Sequence, residues 1–600
     1  MPVTPAEIAL AAARGVHTAA MLSLAGALVF RLVVAACALT RVLRPSLAVA
    51  MLSGIVWLVL QAADFAGAAT PGETFAALPV TVLHTRFGHV LLLRLAVLPL
   101  AALVAGSGEG CARLAMAAAM GVGAVGMQAA LGHVGATEDP RLLASLTLHL
   151  VAASVWLGGL WPLWLALSGA HPSATVRRFS LLAMLAVAII AATALQQISS
   201  LVGGLAGLVG TDYGRTAAAK LGLFALLLGI ALVNRLVLTP AADESPAALR
   251  RLRTSILIEA AIGCGVVLAA ARLASLPPGV HQQPDWPFAW RPSLDPMSEP
   301  SLRAEVLLAL AVLAAAAALV AAGITMRRIR WLCIAAAAVI AAFAIPHLDL
   351  LLVPAYPTSF YASLTDFDSY GIAQGARLFA RNCTPCHGAD GRGDGPLARG
   401  LPIPPADLTA EHLWAHTDGE MFWYLTHGIE SLRGEPAMPG FGRTLSSESR
   451  WLLIDYLHAR NAGVALAERG GWAHPVPAPE LEAICGNGRI VALEDFRGKV
   501  VRIVVAPPPA APARLPTIFI DPSRPAEDSC VSGAPEVRLA YAIVSGVMPA
   551  ALAGTVFLVD PAGWLRARFR PSDPPPDLDA FVRQIVANPI AAPAATAHHH

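Results

Sequence analysis

Ten stretches of this chain are long and apolar enough to cross a bilayer, at about 7–39, 46–68, 80–105, 111–135, 141–168, 178–205, 214–238, 251–275, 304–324 and 330–352. Backbone N–H and C=O groups cannot stay unpaired in hydrocarbon, so each stretch is committed to an α-helix whatever its local propensities. Composition agrees: 56% hydrophobic and 14% charged residues, with a mean hydropathy of +0.61, describe an integral membrane protein. The first run continues well past the apolar region of a signal peptide and is expected to stay as a helix. A net charge of +2 gives no reason to expect nucleic acid as a partner. Membrane lipid is the expected one.

Charge alternates between the loops. Arg41 and Arg44, Arg177 and Arg178, Arg250, Arg251 and Arg253, and Arg327, Arg328 and Arg330 occupy one set. Asp64 and Glu73, Glu138 and Asp139, Asp212, and Asp285, Asp295 and Glu299 occupy the other. The positive-inside rule makes the first set cytoplasmic, which puts both termini outside.

The outer position suits Cys383-Thr384-Pro385-Cys386-His387, a C-x-x-C-H that reads as covalent attachment of one c-type haem. Two thiols take the haem vinyl groups while His387 binds the iron, so the chemistry needs all three on one turn. A bare C-x-x-C is also compatible with a redox pair or half a zinc site, but no second C-x-x-C follows. Gly371, Gly375, Leu378, Phe379 and Asn382 lead into the motif, Gly388 follows it, and Ala437-Met438-Pro439-Gly440-Phe441 comes later. Together these resemble the class I, mono-haem cytochrome c family over roughly ninety residues. The resemblance implies an all-α domain with Met438 as distal iron ligand.

A second resemblance lies in the membrane part. His149 followed by Trp156-Leu157-Gly158-Gly159-Leu160 is similar to the fifth helix of the copper resistance D family. Thr85-Arg86-Phe87-Gly88 with Arg94, Gly132-His133, Tyr213-Gly214-Arg215 with Lys220, and Asn234-Arg235 extend the match over the first eight helices. It implies copper handling at the inner membrane, with movement towards the cytoplasm. Ionisable side chains at membrane depth are functional candidates by default. His133 falls near the outer surface, His149 about 12 Å down and His17 about 15 Å down at ~1.5 Å per residue. These three are candidate ligands for copper or for a haem b, with buried hydrogen bonding as the alternative. Met116, Met120 and Met127 share a helix face and are either soft Cu(I) ligands or core filler. His84, His89, His281 and His347 read as interfacial.

After the cytochrome stretch, 475–479 reads as a Pro-rich linker. The remainder resembles a thioredoxin-like fold, through Leu493–Val501 and Thr555–Gly563, with Ala506-Pro507-Pro508-Pro509 where that family's C-x-x-C would stand. Cys37, Cys111, Cys264 and Cys333 read as small buried hydrophobes. Cys485 and Cys530, in an oxidising space, are expected to pair, with a two-thiolate metal site as the rival. His598-His599-His600 is set aside from fold reasoning.

The expected architecture is a polytopic α-helical membrane protein of about ten transmembrane helices, bearing a periplasmic all-α cytochrome c domain and a periplasmic α/β thioredoxin-like domain. Its parts are 1–275, a loop 276–302, two further helices in 303–352, the cytochrome at 368–464 and the last domain at 475–590. The expected function is copper uptake or tolerance with a tethered cytochrome serving a periplasmic redox partner, a transporter or electron carrier rather than an enzyme. The alternative is membrane-to-periplasm electron transfer through a haem b held by membrane histidines, without copper. Reporters fused after Arg178 or Arg253 should behave as cytoplasmic and those after Glu138 or Asp295 as periplasmic. The reverse pattern would place the C-x-x-C-H inside the cell and remove the cytochrome reading.

Overall fold

The computed structural model describes residues 4–591 except 108–109, 133–134, 136–138, 170–171, 243–244, 327, 432, 506–514, 521–528 and 575–576. The chain divides into two compact units, Met1–Pro284 and Asp285–His600. Among the described residues, ten helices are long and apolar enough to span a membrane.

Eight of them build the first unit: α1 Pro5–Val33, α2 Thr40–Ala66, α3 Arg86–Gly106, α4 Cys111–Gly126, α5 Pro140–Trp156, α6 Pro172–Leu201, α7 Asp212–Val233 and α8 Pro246–Leu273. Helix α1 is the central one, packing on α2, α4, α5 and α8. The family-like motifs explain how the helices start and approach. Thr85 caps α3 through the Gly88 N–H, and Thr211 caps α7 through the Gly214 N–H. Gly158 lets the end of α5 lie against α1, where a Cβ would run into the Leu22 carbonyl. The Trp156 indole and the Asn234 amide both donate to the Glu259 carboxylate, at 3.3 and 3.0 Å.

Two cysteine expectations need correction here. Cys111 and Cys264 are exposed on the helix surfaces rather than buried, because hydrocarbon tails can cover an apolar side chain as well as a protein core can. Met116 is exposed too, so the α4 methionines form no common core.

The second unit begins with a small ribbon. Strands β1 Trp290–Pro292 and β2 Leu352–Pro354 pair antiparallel and bracket α9 Pro300–Thr325 and α10 Arg330–Ala344 in the chain. Arg291 on β1 is buried against Glu420 at 2.7 Å, on α12 Asp418–His427. Trp286 packs beside it against Phe288 and Phe360, and its indole donates to the Trp290 carbonyl. The α-helical module that follows comprises α11 Ser369–Asn382, α12 and α13 Ser447–Arg469, with a short β3–β4 pair, Gly428–Glu430 and Pro436–Pro439.

The last domain is an eight-stranded mixed sheet that, with β5 Val476–Pro477, β6 Glu482–Cys485, β7 Ile490–Ala492, β8 Val501–Val505, β9 Thr517–Ile520, β10 Cys530–Ser532, β11 Val556–Val559 and β12 Trp564–Phe569, is ordered β5-β12-β11-β8-β9-β10-β6-β7. Its central strand β8, Val501–Val505, is buried throughout. It runs parallel to β9 Thr517–Ile520 and antiparallel to β11 Val556–Val559. Helix α14 Pro535–Ile543 places Val537 and Tyr541 in the same core and packs also on α11 and α13.

The thioredoxin-like expectation is not confirmed by this sheet, and the Ala506–Pro509 departure lies outside the described residues. The Pro-rich stretch is not a free linker. Val476–Pro477 forms β5 at the sheet edge, where proline needs no ladder donor. Cys485 and Cys530 are disulfide-bonded across β6 Glu482–Cys485 and β10 Cys530–Ser532, and closing that loop contributes ~3–4 kcal/mol in the chain-entropy picture.

Glu480 sets a pH dependence in this domain. Burial pushes its carboxyl up to about 7, against the opposing pull of the Glu494 N–H and Arg497. The folded state then holds a proton that the unfolded chain, near 4.5, has released. Stability is highest below the unfolded value and falls as pH rises from there through 7, by roughly 1–3 kcal/mol. Hydrogen exchange of the β6 amides should show that fall, and Glu480→Gln should flatten it. An unchanged slope in the variant would assign the dependence to another group.

Candidate functional site

The C-x-x-C-H lies on one helical turn, Thr384–His387, directly after α11. The N–H groups of Cys386 and His387 both donate to the Cys383 carbonyl, at 3.1 and 2.8 Å, so the two thiols and the imidazole leave the same turn. His387 Nδ1 lies 3.1 Å from the Ala406 carbonyl. A carbonyl only accepts, so Nδ1 carries the hydrogen and Nε2 presents a lone pair. Burial keeps this imidazole below its ordinary value, in the neutral form that ligates iron.

The strap reaches the same core. Met438 on β4 and Cys383 both border the apolar cluster of Phe379, Phe422, Leu425 and Trp451. Leu397, whose N–H bonds to the Pro385 carbonyl, and Ile429, opposite Met438, are large apolar side chains left exposed, as the rim of a haem crevice requires. Burial, reinforced by Cys386, pushes the Cys383 thiol up to about 11. These residues fit a covalent haem, which Cys383 and Cys386 would attach and whose iron His387 and Met438 would ligate. When bound, the haem supplies one-electron redox chemistry.

Among the described residues, His17 and His149 do not converge. His17, 0% exposed, directs Nδ1 to the Ala50 carbonyl at 2.8 Å, leaving Nε2 with its lone pair and no partner. Gly54 makes room for this ring on α2, since a Cβ there would stand 3.1 Å from it. One turn further along α1 comes Met21, 1% exposed, whose sulfur accepts from Arg94 at 2.7 Å. The Arg14 and Arg94 guanidiniums lie 5.1 and 5.9 Å from the Trp57 ring.

Glu7, Leu10, Arg14, His17 and Met21 thus follow one face of α1 at three- and four-residue steps. A 620 Å³ cavity at the Glu7 end is lined by Glu7, Arg14, Gln61, Asp64, Arg86 and Asp212. Sequence reasoning missed Met21, although its position four residues beyond His17 was the available signal.

His149 lies elsewhere, 2.9 Å from the Thr193 hydroxyl on α6, and lines cavities that contain no second imidazole among the described residues. His133 lies outside the described residues. Among the described residues no three His, Cys, Asp or Glu side chains form a group able to hold a metal ion.

Fold and site together define a multi-pass helical membrane protein that carries a c-type cytochrome module. Residues 5–143 match the family model for the copper resistance protein D-like N-terminal domain, and 173–273 that for copper resistance protein D. Residues 371–457 match the model for cytochrome c oxidase, cbb3-type, subunit III. The chain therefore carries copper resistance D domains followed by a cbb3-type cytochrome c domain.

Among curated relatives, the copper transport protein CutJ of Bacillus subtilis is 30% identical over 165 residues, 26% of this chain and 29% of that protein. The cbb3-type cytochrome c oxidase subunit CcoP of Azospirillum brasilense is 30% identical over 116 residues, 18% of this chain and 37% of that protein. Copper resistance protein D of Pseudomonas syringae pv. tomato is 29% identical over 251 residues, 38% of this chain and 81% of that protein. The chain thus spans well under half the length of the first two. No solved structure matches it.

Replacing Met438 by Ala should leave haem attached while lowering its midpoint potential by a sizeable part of the ~0.8 V that axial ligands span. An unchanged potential and unchanged sulfur-to-iron absorption would assign the sixth position to another residue, such as His412, His416 or His427.

Proposed function

We propose that this protein handles copper at the bacterial inner membrane, in uptake or tolerance, and that its cytochrome module exchanges electrons with a periplasmic partner. In this reading both termini and the cytochrome face the periplasm, supported by the arginine distribution and by the extracytoplasmic chemistry of haem attachment. The observation that carries the copper reading is the unpartnered, fully buried Nε2 of His17, one helical turn from the Met21 sulfur.

Imidazole with thioether is a donor set for Cu(I). In the cavity beyond it, Glu7, Asp64 and Asp212 supply carboxylate oxygens balanced by Arg14, Arg86 and Arg272, with Glu7 paired to Arg272 and Asp212 to Arg215. Arg14 stands between that cavity and His17, and Arg94 lies against the Met21 sulfur. Their positive charge keeps the site weak, which suits passage better than storage. His133 and His149 keep the role of further candidate imidazoles, although His149 shares its cavities with Lys220 and no carboxylate.

A haem b in place of copper is the less favoured reading, because neither His17 nor His149 is faced by a second imidazole among the described residues. His17→Ala, and separately the volume-conserving Met21→Leu, should each weaken Cu(I) binding by at least 10–100-fold. The c-type haem spectrum should remain, since that haem belongs to another unit. Unchanged copper affinity in both variants would make these side chains structural.

A further inference from the structure

A second cavity in the membrane unit has an unusual set of unpaired groups. It encloses about 300 Å³ between α5, α6, α7 and α8, and is lined by His149, Gln197, Tyr213 and Lys220 amid apolar side chains. A 170 Å³ arm shares those four and reaches Gln128 and Arg14. Neither the Lys220 ammonium nor the Tyr213 hydroxyl has a hydrogen bond or ion pair among the described residues, and the Gln197 amide nitrogen is buried without a partner. Unpaired polar groups at membrane depth are costly, so several around one cavity call for a ligand.

The hydrogen-bond directions define that ligand. The Thr193 hydroxyl, with one hydrogen to give, lies 2.7 Å from the Ile189 carbonyl and 3.0 Å from that of Ile190. With that hydrogen on the nearer carbonyl, His149 Nδ1 donates to the hydroxyl oxygen. His149 Nε2 is left as an acceptor. Lys220, Tyr213 and Gln197 are all able to donate. The ligand then offers at least one O–H and at least one acceptor oxygen.

Tyr213 and Lys220, seven residues apart on α7, are separated by ~10 Å along the helix, so the ligand's oxygens sit at two levels rather than on one compact carboxyl. The remaining lining is apolar, and the backbones of α6 and α7, which both border the cavity, do not approach closely, although Ile190 and Leu227 share an apolar cluster. That leaves entry from the lipid between them. A bare copper ion is a poor match, since the lining holds Lys220 and no carboxylate.

We propose that this cavity binds the head group of a quinol or quinone from the bilayer, with His149 Nε2 accepting from and Lys220 donating to the oxygen at one level, and Tyr213 and Gln197 donating to the oxygen at the other. His17 and Met21, which carry the copper reading, do not line this cavity, whose arm meets the Glu7-end cavity at Arg14.

Full-length protein in liposomes would be titrated with decylubiquinone and with decylubiquinol, and bound ligand measured. We expect saturable binding of both at one per chain. Lys220→Leu combined with Tyr213→Phe should weaken both at least tenfold, and His149→Leu should weaken the quinol more than the quinone. The c-type haem absorbance and thermal midpoint of each preparation show whether the variant is folded. No saturable binding beyond that of lipid alone, equal affinity in folded variants, or occupancy by oleic acid that decylubiquinone cannot displace would each overturn the proposal.

Discussion

Everything in the membrane unit follows from the need to pair polar groups without help from water. Helices satisfy the backbone, so the remaining question is where each polar side chain sends its hydrogens. Glu259 answers it fully, with the Trp156 indole and the Asn234 amide on its two oxygens. Where the answer is incomplete, as at His17 and around Lys220, chemistry is the reason to suspect. The same device recurs in both units: His17 and His387 each give Nδ1–H to a backbone carbonyl, and His149 gives it to a hydroxyl already committed elsewhere. In all three the other nitrogen is set as a base or ligand before anything binds.

What could be read from the sequence divides along physical lines. The ten spans were legible because twenty or so apolar residues have no other solution in water or lipid. The C-x-x-C-H was legible because that spacing brings two thiols and an imidazole onto one helical turn, and the Cys485–Cys530 bond because these two thiols remain once the motif and the apolar runs have claimed the other six. Met21 was not legible, since a buried methionine on an apolar helix looks like filler until the neighbouring imidazole is seen to lack a partner. Lys220 and Tyr213 were visible as motif residues, yet their lack of partners is a property of three helices at once. The Pro-rich stretch at β5 misled because proline signals a linker and an edge strand equally well.

The α-helical module and the sheet domain are joined more closely than their sequences indicate. Helix α14 belongs to the sheet's core through Val537 and Tyr541, yet packs on α11 and α13. Gly463 on α13 permits this, because a Cβ there would strike the Ile543 carbonyl. The Trp472 indole also donates to the Val544 carbonyl at 3.1 Å. The sheet domain therefore acts as a brace for the helix that closes the cytochrome core.

The ribbon of β1 and β2 has a corresponding effect on the other side of that module. Its strands precede α9 and follow α10 in the chain, and Arg291 fastens it to α12, the helix that runs into the β3–β4 pair holding Met438. A module mounted in this way is held to the neighbouring chain segment by a paired ribbon and a buried ion pair rather than hung on a free tether. Extra residues inserted in the loops around it would lengthen the chain without releasing the module.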